Sequence, residues 1–144
     1  MNKKILVAYD GSLMSRHAIQ EAKRQAAHVS ETEVHVITVI KPTGPKANAA
    51  VARSIENELA DHFQPQMEKI MKEFEAEAIP IFTQVIFDDT NENAGAKLCE
   101  YAEDNKVDLI VVGSRGLVNI KGLFVGSVSK KILNHATCPV FVIK

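Results

Sequence analysis

Short apolar runs rich in β-branched residues alternate with longer stretches of helical spacing along the whole chain, and that alternation leaves few folds open. Ile5-Leu6-Val7-Ala8 is a compact apolar run closed by Asp10-Gly11-Ser12, which predicts a buried strand and then a turn. Ser12 stands where it can cap the next helix by accepting a backbone N–H. Ala18, Ala22, Ala26 and Val29 recur at helical spacing behind it. Val34 to Ile40 predicts a second strand, stopped by the breaker cluster Lys41-Pro42-Thr43-Gly44-Pro45. A long helical stretch follows, with Val51, Ile55, Leu59, Phe63, Met67, Ile70 and Phe74 on one side. Pro65 lies inside it, and an interior proline costs a helix ~3 kcal/mol, so a kink or two shorter helices is expected. Ile81 to Phe87 predicts a third strand, closed by Asp88-Asp89-Thr90-Asn91. Ala94, Leu98 and Ala102 mark a third helix ending near Asn105, and Val107 to Val112 holds a fourth strand, the run Leu109-Ile110-Val111-Val112. Val128, Ile132 and Ala136 mark a last helix, and Cys138 to Ile143 a fifth strand.

This alternation calls for a parallel sheet, because parallel strands need crossover connections and buried strands read as continuous apolar runs. The expected architecture is therefore an α/β fold with a doubly wound five-stranded parallel sheet and helices on both faces. The 144 residues suit one domain, spanning 1–144, with no internal repeat or linker. Seventeen basic residues against eighteen acidic ones give a net charge of −1, without the basic surplus of a nucleic-acid binder. No segment has the roughly 20 apolar residues of a membrane span, and Ile5–Ala8 is too short for a signal peptide's apolar region. A cytoplasmic location is expected. Cys99 and Cys138 form no C-x-x-C pair and read as buried thiols on a helix and a strand.

Four of the seven glycines lie between Gly113 and Gly126, the one place where composition departs from its background. The stretch runs Gly113-Ser114-Arg115-Gly116, nine residues, then Gly126-Ser127-Val128-Ser129. A phosphate needs backbone N–H groups close to it, and glycine permits that approach. Gly126 and Ser127 open the final helix, whose first N–H groups have no partner within it and whose dipole favours an anion. The hydroxyls of Ser127 and Ser129 add donors, and Arg115 and Lys121 add charge. A purely structural account serves the same residues: Gly113 ends a strand, Gly126 precedes a helix and Ser127 is its cap. The loop is neither a G-x-x-x-x-G-K-[ST] P-loop nor a dinucleotide fingerprint, since it follows the fourth strand at another spacing.

Gly113-x2-Gly116-x9-Gly126-Ser127 matches residue for residue the ATP-binding signature of the universal stress protein family. The resemblance covers the whole chain: Lys3 to Ser12 resembles the family's first strand and turn, Val107 to Gly116 its fourth strand and loop entry. Gly126 to Ser129 resembles its last helix start, and Cys138-Pro139-Val140 its last strand. The resemblance implies a Rossmann-like sheet of strand order 3-2-1-4-5. Strands 1 and 4 would then flank the point where the order reverses, where open α/β sheets bind ligands. By the same resemblance Asp10 contacts the nucleoside or water and metal beside it. Ala8, Tyr9 and Val39 line the adenine slot, with the Val39 backbone as a hydrogen-bonding edge. Val112, Gly113, Arg115 and Gly116 hold ribose and phosphates, and Gly126, Ser127, Val128 and Ser129 the phosphate tail. ATP, accompanied by Mg2+, is the implied ligand. Tyr9 is bulkier than the residue common there and would either stack on the base or crowd it. Asp88-Asp89-Thr90 replaces a Gly-x-Pro turn and adds negative charge. Asp10 followed by Gly-Ser is also a good turn former without any ligand.

Other chemistries find less support. A phosphoreceiver domain shares the strand pattern, but its acid pair after strand 1 is missing and Lys144 ends the chain. Neither H-x-G-H nor S-G-G-x-D-S, the elements of adenylyl-transferring relatives, occurs. His17, His28, His35, His62 and His135 show no metal-ligand spacing, so no metal site is expected. No nucleophile has an adjacent base, so no catalytic residue is assigned and at most slow ATP hydrolysis is expected. The last strand is a sheet edge carrying Val140 and Ile143, and the resemblance implies a homodimer through it. The expected function is that of an ATP-binding, dimeric stress-response regulator acting on a protein partner. A nucleotide-independent interaction protein and a weak ATPase are the alternatives, and neither nucleic acid nor membrane is an expected partner.

Overall fold

A computed structural model of the chain describes residues 3–40, 49–88, 90, 92–114 and 127–144, without the side chains at 49–52, 55 and 56. The elements run β1 (Lys3–Ala8), α1 (Leu13–His28), β2 (Thr32–Ile40), α2 (Ala49–Glu75) and β3 (Ile81–Phe87). They continue with α3 (Ala94–Asp104), β4 (Leu109–Gly113), α4 (Ser127–His135) and β5 (Val140–Ile143). The strands form one sheet in the order β3-β2-β1-β4-β5, every pairing parallel. Ile5 pairs with Val34 on one side and Leu109 on the other, so β1 is the central strand.

Alternate residues of each strand serve opposite faces. Ile5, Val7, Val34, Val36 and Val111 pack with Ala18, Ala22, Phe63, Met67 and Phe74 from α1 and α2. Leu6, Ile37, Ile110 and Val112 pack with Leu98, Ala102 and Ile132 from α3 and α4. Both faces are covered, which is why the strands read as continuous apolar runs and not as an alternation. The expected doubly wound, Rossmann-like sheet of order 3-2-1-4-5 is the fold observed.

Several details differ from expectation, beginning with β1 and β2, which each start two residues earlier than their apolar runs. Helix α2 runs unbroken through Pro65 and does not divide into two. Phe63 on one side of the proline, and Met67, Ile70 and Phe74 on the other, bury in one cluster. Burial is worth about 1.5–3 kcal/mol per side chain, which outweighs the ~3 kcal/mol the proline costs. Val51 and Ile55, expected on this face, fall among the side chains outside the description. Strand β4 begins at Leu109, where its apolar run begins, because the Val107 N–H bonds back to the Ala102 carbonyl and completes the end of α3. Strand β5 begins after Pro139, which has no N–H to donate to a ladder, so Cys138 stands before the strand.

Candidate functional site

The carboxyl ends of β1 and β4 are neighbours, with connections leaving to opposite faces of the sheet. At the end of β1, Asp10 Oδ1 accepts the Ser12 N–H at 2.9 Å, closing a turn through Gly11, whose φ of +85° favours glycine. Ser12 caps α1 as expected: its Oγ accepts the Ser15 N–H at 3.2 Å, and Ser15 Oγ donates to the Ser12 carbonyl at 2.9 Å. This network makes the Asp10 corner a rigid edge of the crevice.

The opposite edge is Gly113, Ser114 and the start of α4. The Ser114 N–H bonds to the Ile143 carbonyl at 2.7 Å, and Ser129 Oγ donates to the Gly113 carbonyl at 2.7 Å. Ser129 was expected to offer its hydrogen to a phosphate; that hydrogen is already committed, and the hydroxyl moors α4 to β4 instead. Ser127 is exposed in the first turn, which carries no acidic residue. Gly113 also has a packing role: a Cβ there would stand 2.7 Å from Met14 Cβ and 3.0 Å from Met14 C, at the start of α1. Arg115, Gly116, Lys121 and Gly126 lie outside the described residues.

Beside this junction, on the α3/α4 face, the last inward residues of three strands form an apolar shelf. Ala8 of β1, Val39 of β2 and Ile86 of β3 are partly buried, while Leu6 and Ile37, one step deeper, are at most 1% exposed. Val128 adjoins the same cluster from α4, and Val112 is buried within it. Tyr9 departs from this group. Its side chain turns to the α1/α2 face, where it is 3% exposed, meets Phe63 edge-to-face and donates its hydroxyl to Gln66 Oε1 at 2.5 Å. Only the Tyr9 backbone stays near the crevice, held by the Ile37 carbonyl and Thr38 Oγ1.

Two residues of this region escaped the sequence reading. Ile86 completes the shelf, and its strand period alone could have placed it there. Gly95, in the first turn of α3, lets that helix touch α4: a Cβ would fall 2.7 Å from the Val128 carbonyl oxygen and 2.8 Å from Lys131 Cβ. A glycine one residue inside a helix, where alanine would be better by ~1 kcal/mol, was the available signal.

The remaining polar groups are satisfied locally. Asp88 is buried after β3 and accepts the Thr90 N–H and hydroxyl, so its carboxylate closes its own turn; Asp89 lies outside the described residues. His35 is buried between Tyr101 Oη, at 2.7 Å from Nδ1, and Glu33 Oε1, at 3.0 Å from Nε2. Burial pushes both Cys99 and Cys138 thiols up, and both are free. Among the described residues no three His, Cys, Asp or Glu side chains gather as metal ligands, and no helix is long and apolar enough to cross a membrane.

The sequence profile described as the universal stress protein family matches residues 1–144. Universal stress protein YxiE of Bacillus subtilis is 30% identical over 148 residues, covering 100% of both chains. The structure of MJ0577 from Methanocaldococcus jannaschii is similar with a TM-score of 0.88 at 28% identity, covering 100% of this chain and 96% of that one. A universal stress protein family protein from Arabidopsis thaliana, solved with AMP bound, has the same fold. Its TM-score is 0.70 at 19% identity, over 99% of this chain and 91% of that one.

Proposed function

The chain belongs to the universal stress protein family, and on that premise we propose that it binds ATP in the crevice between the carboxyl ends of β1 and β4. The observation that carries this reading is the docking of α4. Ser129 and Gly95 hold its first turn at the reversal point of the sheet, beside the shelf of Ala8, Val39 and Ile86. A flat base fits an apolar shelf, and phosphates fit a helix start without acidic side chains. The unbroken signature Gly113-x2-Gly116-x9-Gly126-Ser127 joins the two places. The AMP held by the Arabidopsis protein is the same class of ligand on the same fold.

The adenine would lie on the shelf, with Asp10 and Val112 near the ribose. The backbone of Gly113, Arg115, Gly116 and Gly126, with Ser127 and Val128, would face the phosphates. The chain gathers no metal cage of its own among the described residues, so Mg2+ fits only as an ion arriving on the phosphates, with Asp10 as the nearby carboxylate. The whole of 1–144 would act as one cytoplasmic domain and as a homodimer. β5 ends the sheet with Phe141 42% exposed, an edge suited to a second copy. Occupancy of the crevice would then be read by a protein partner in the stress response.

Nucleotide extracted from the purified protein, together with calorimetric titration with ATP and Mg2+, tests this reading. Released adenine nucleotide and saturable binding, weakened by Asp10→Ala and by Gly116→Ala, are the expected results. An empty extract with no binding heat would leave a nucleotide-independent interaction protein. ATP turnover abolished by changes in the loop would make it an ATPase.

A further inference from the structure

On the face of β1 turned away from the shelf, α1 and α2 leave a cavity of about 320 Å³ between them. That volume lies at the small end of the range that ligand sites occupy. The floor is apolar, made by the buried ring of Tyr9 with Ile19 of α1 and Ile70 of α2. The walls are charged. Arg16 comes from α1 and Lys69 from α2, both exposed, and neither has an ion-pair partner among the described residues. Beyond the cavity, α1 and the turn that follows α2 do match charge, with Lys23 Nζ 2.6 Å from Glu77 Oε2. Opposite charges therefore meet where the chain closes the gap; where it stays open, Arg16 and Lys69 share the lining with the single carboxylate of Glu73, and no ion pair joins any of the three among the described residues.

We propose that this cavity is a binding site for a small organic monocarboxylate with a compact apolar body. Two cations on facing walls repel each other unless an anion lies between them. A guanidinium offers a carboxylate two parallel donors, and an ammonium adds a point charge beside it. The apolar body then covers Tyr9, Ile19 and Ile70. Glu73 lines the same cavity and sets the selectivity: a second negative charge on the ligand would face a carboxylate, which disfavours phosphates and nucleotides. Gln66, fixed by the Tyr9 hydroxyl, leaves its amide nitrogen on the side of His62. This site does not depend on nucleotide binding, since its side chains project from the other face of the sheet.

The test is a titration of the full, isotope-labelled chain with phenylacetate, followed by amide and side-chain N–H resonances. Saturable shifts at Tyr9, Ile19, Gln66 and Ile70 are expected. Arg16→Gln and Lys69→Gln should each weaken binding about tenfold, as loss of one charge-assisted contact does. Both side chains are exposed, so thermal unfolding of the two variants should match the natural chain. Benzyl alcohol, which keeps the ring and lacks the carboxylate, should bind at least about tenfold more weakly. No shifts up to about 20 mM phenylacetate, shifts confined to Gly113, Ser114 and Ser127–Ser129, or equal binding by both variants would each overturn the proposal.

Discussion

Ser129, in the first turn of α4, gives its hydroxyl hydrogen to the carbonyl oxygen of Gly113 across a distance of 2.7 Å, and both residues are buried. The bond spans 16 positions of sequence and fixes the start of the last helix to the end of a central strand. Ser129→Ala removes the donor and leaves a buried carbonyl short of a partner, which costs about 1–3 kcal/mol. Urea denaturation should show a lower midpoint with an unchanged slope. Calorimetry should show weaker ATP binding, because the helix start loses its mooring. Unchanged stability would mean that the bond carries no weight.

Gly95→Ala sets two effects against each other. Alanine is the better helix former by about 1 kcal/mol. Its Cβ, however, would stand 2.7 Å from the backbone oxygen of Val128, which cannot swing aside as a flexible side chain would. Overpacking of this kind costs about 1–3 kcal/mol, so a net loss is expected. Thermal unfolding measures it, and a rise in melting temperature would show that α3 and α4 separate without cost.

Tyr9→Phe separates the two faces of β1. The hydroxyl bond to Gln66 disappears at a cost of about 0.5–1.5 kcal/mol. The ring remains on the α1/α2 face, so affinity for ATP should stay within about twofold. A loss of nucleotide affinity comparable to that of Asp10→Ala would put the Tyr9 side chain on the base after all.

Glu21 shapes the acid response. Hydrogen bonds from the Arg24 guanidinium and then from Gln25 hold its carboxyl below the usual 4.5 in the folded chain. Its contribution is complete above the unfolded value and is lost as the pH falls through the lower folded one. Glu21→Gln should therefore narrow the stability difference between about pH 6 and about pH 3, by no more than the ~0.5 kcal/mol of an exposed helical pair. An identical pH profile in the variant would remove Glu21 from the account.

The sheet was legible because its signal is local: Ile5–Ala8 is apolar and Val34–Ile40 is rich in β-branched residues whichever neighbour they find. The reversal point followed from strand order, which the family resemblance supplied and spacing alone did not. What escaped depends on contacts between distant segments. Nothing near Gly95 announces that Val128 will press on it, nothing near Ser129 announces the Gly113 carbonyl, and Tyr9 could not declare which face its ring would take. At Pro65 the division into two helices did not follow for a related reason, since the burial that holds the helix together comes from a sheet the helix pattern does not mention.

The central place of β1 bears on how the protein is made. Of the five strands of this sheet β1 is made before the others, and it finds β2 quickly. Its other edge, however, must wait for a partner about a hundred residues later, as the bond from the Lys4 N–H to Asp108, 104 positions away, illustrates. During synthesis that edge is an open template for any passing strand, and closing such a remote pairing is slow. The nascent chain thus passes through its most aggregation-prone stage with three strands complete and its middle exposed.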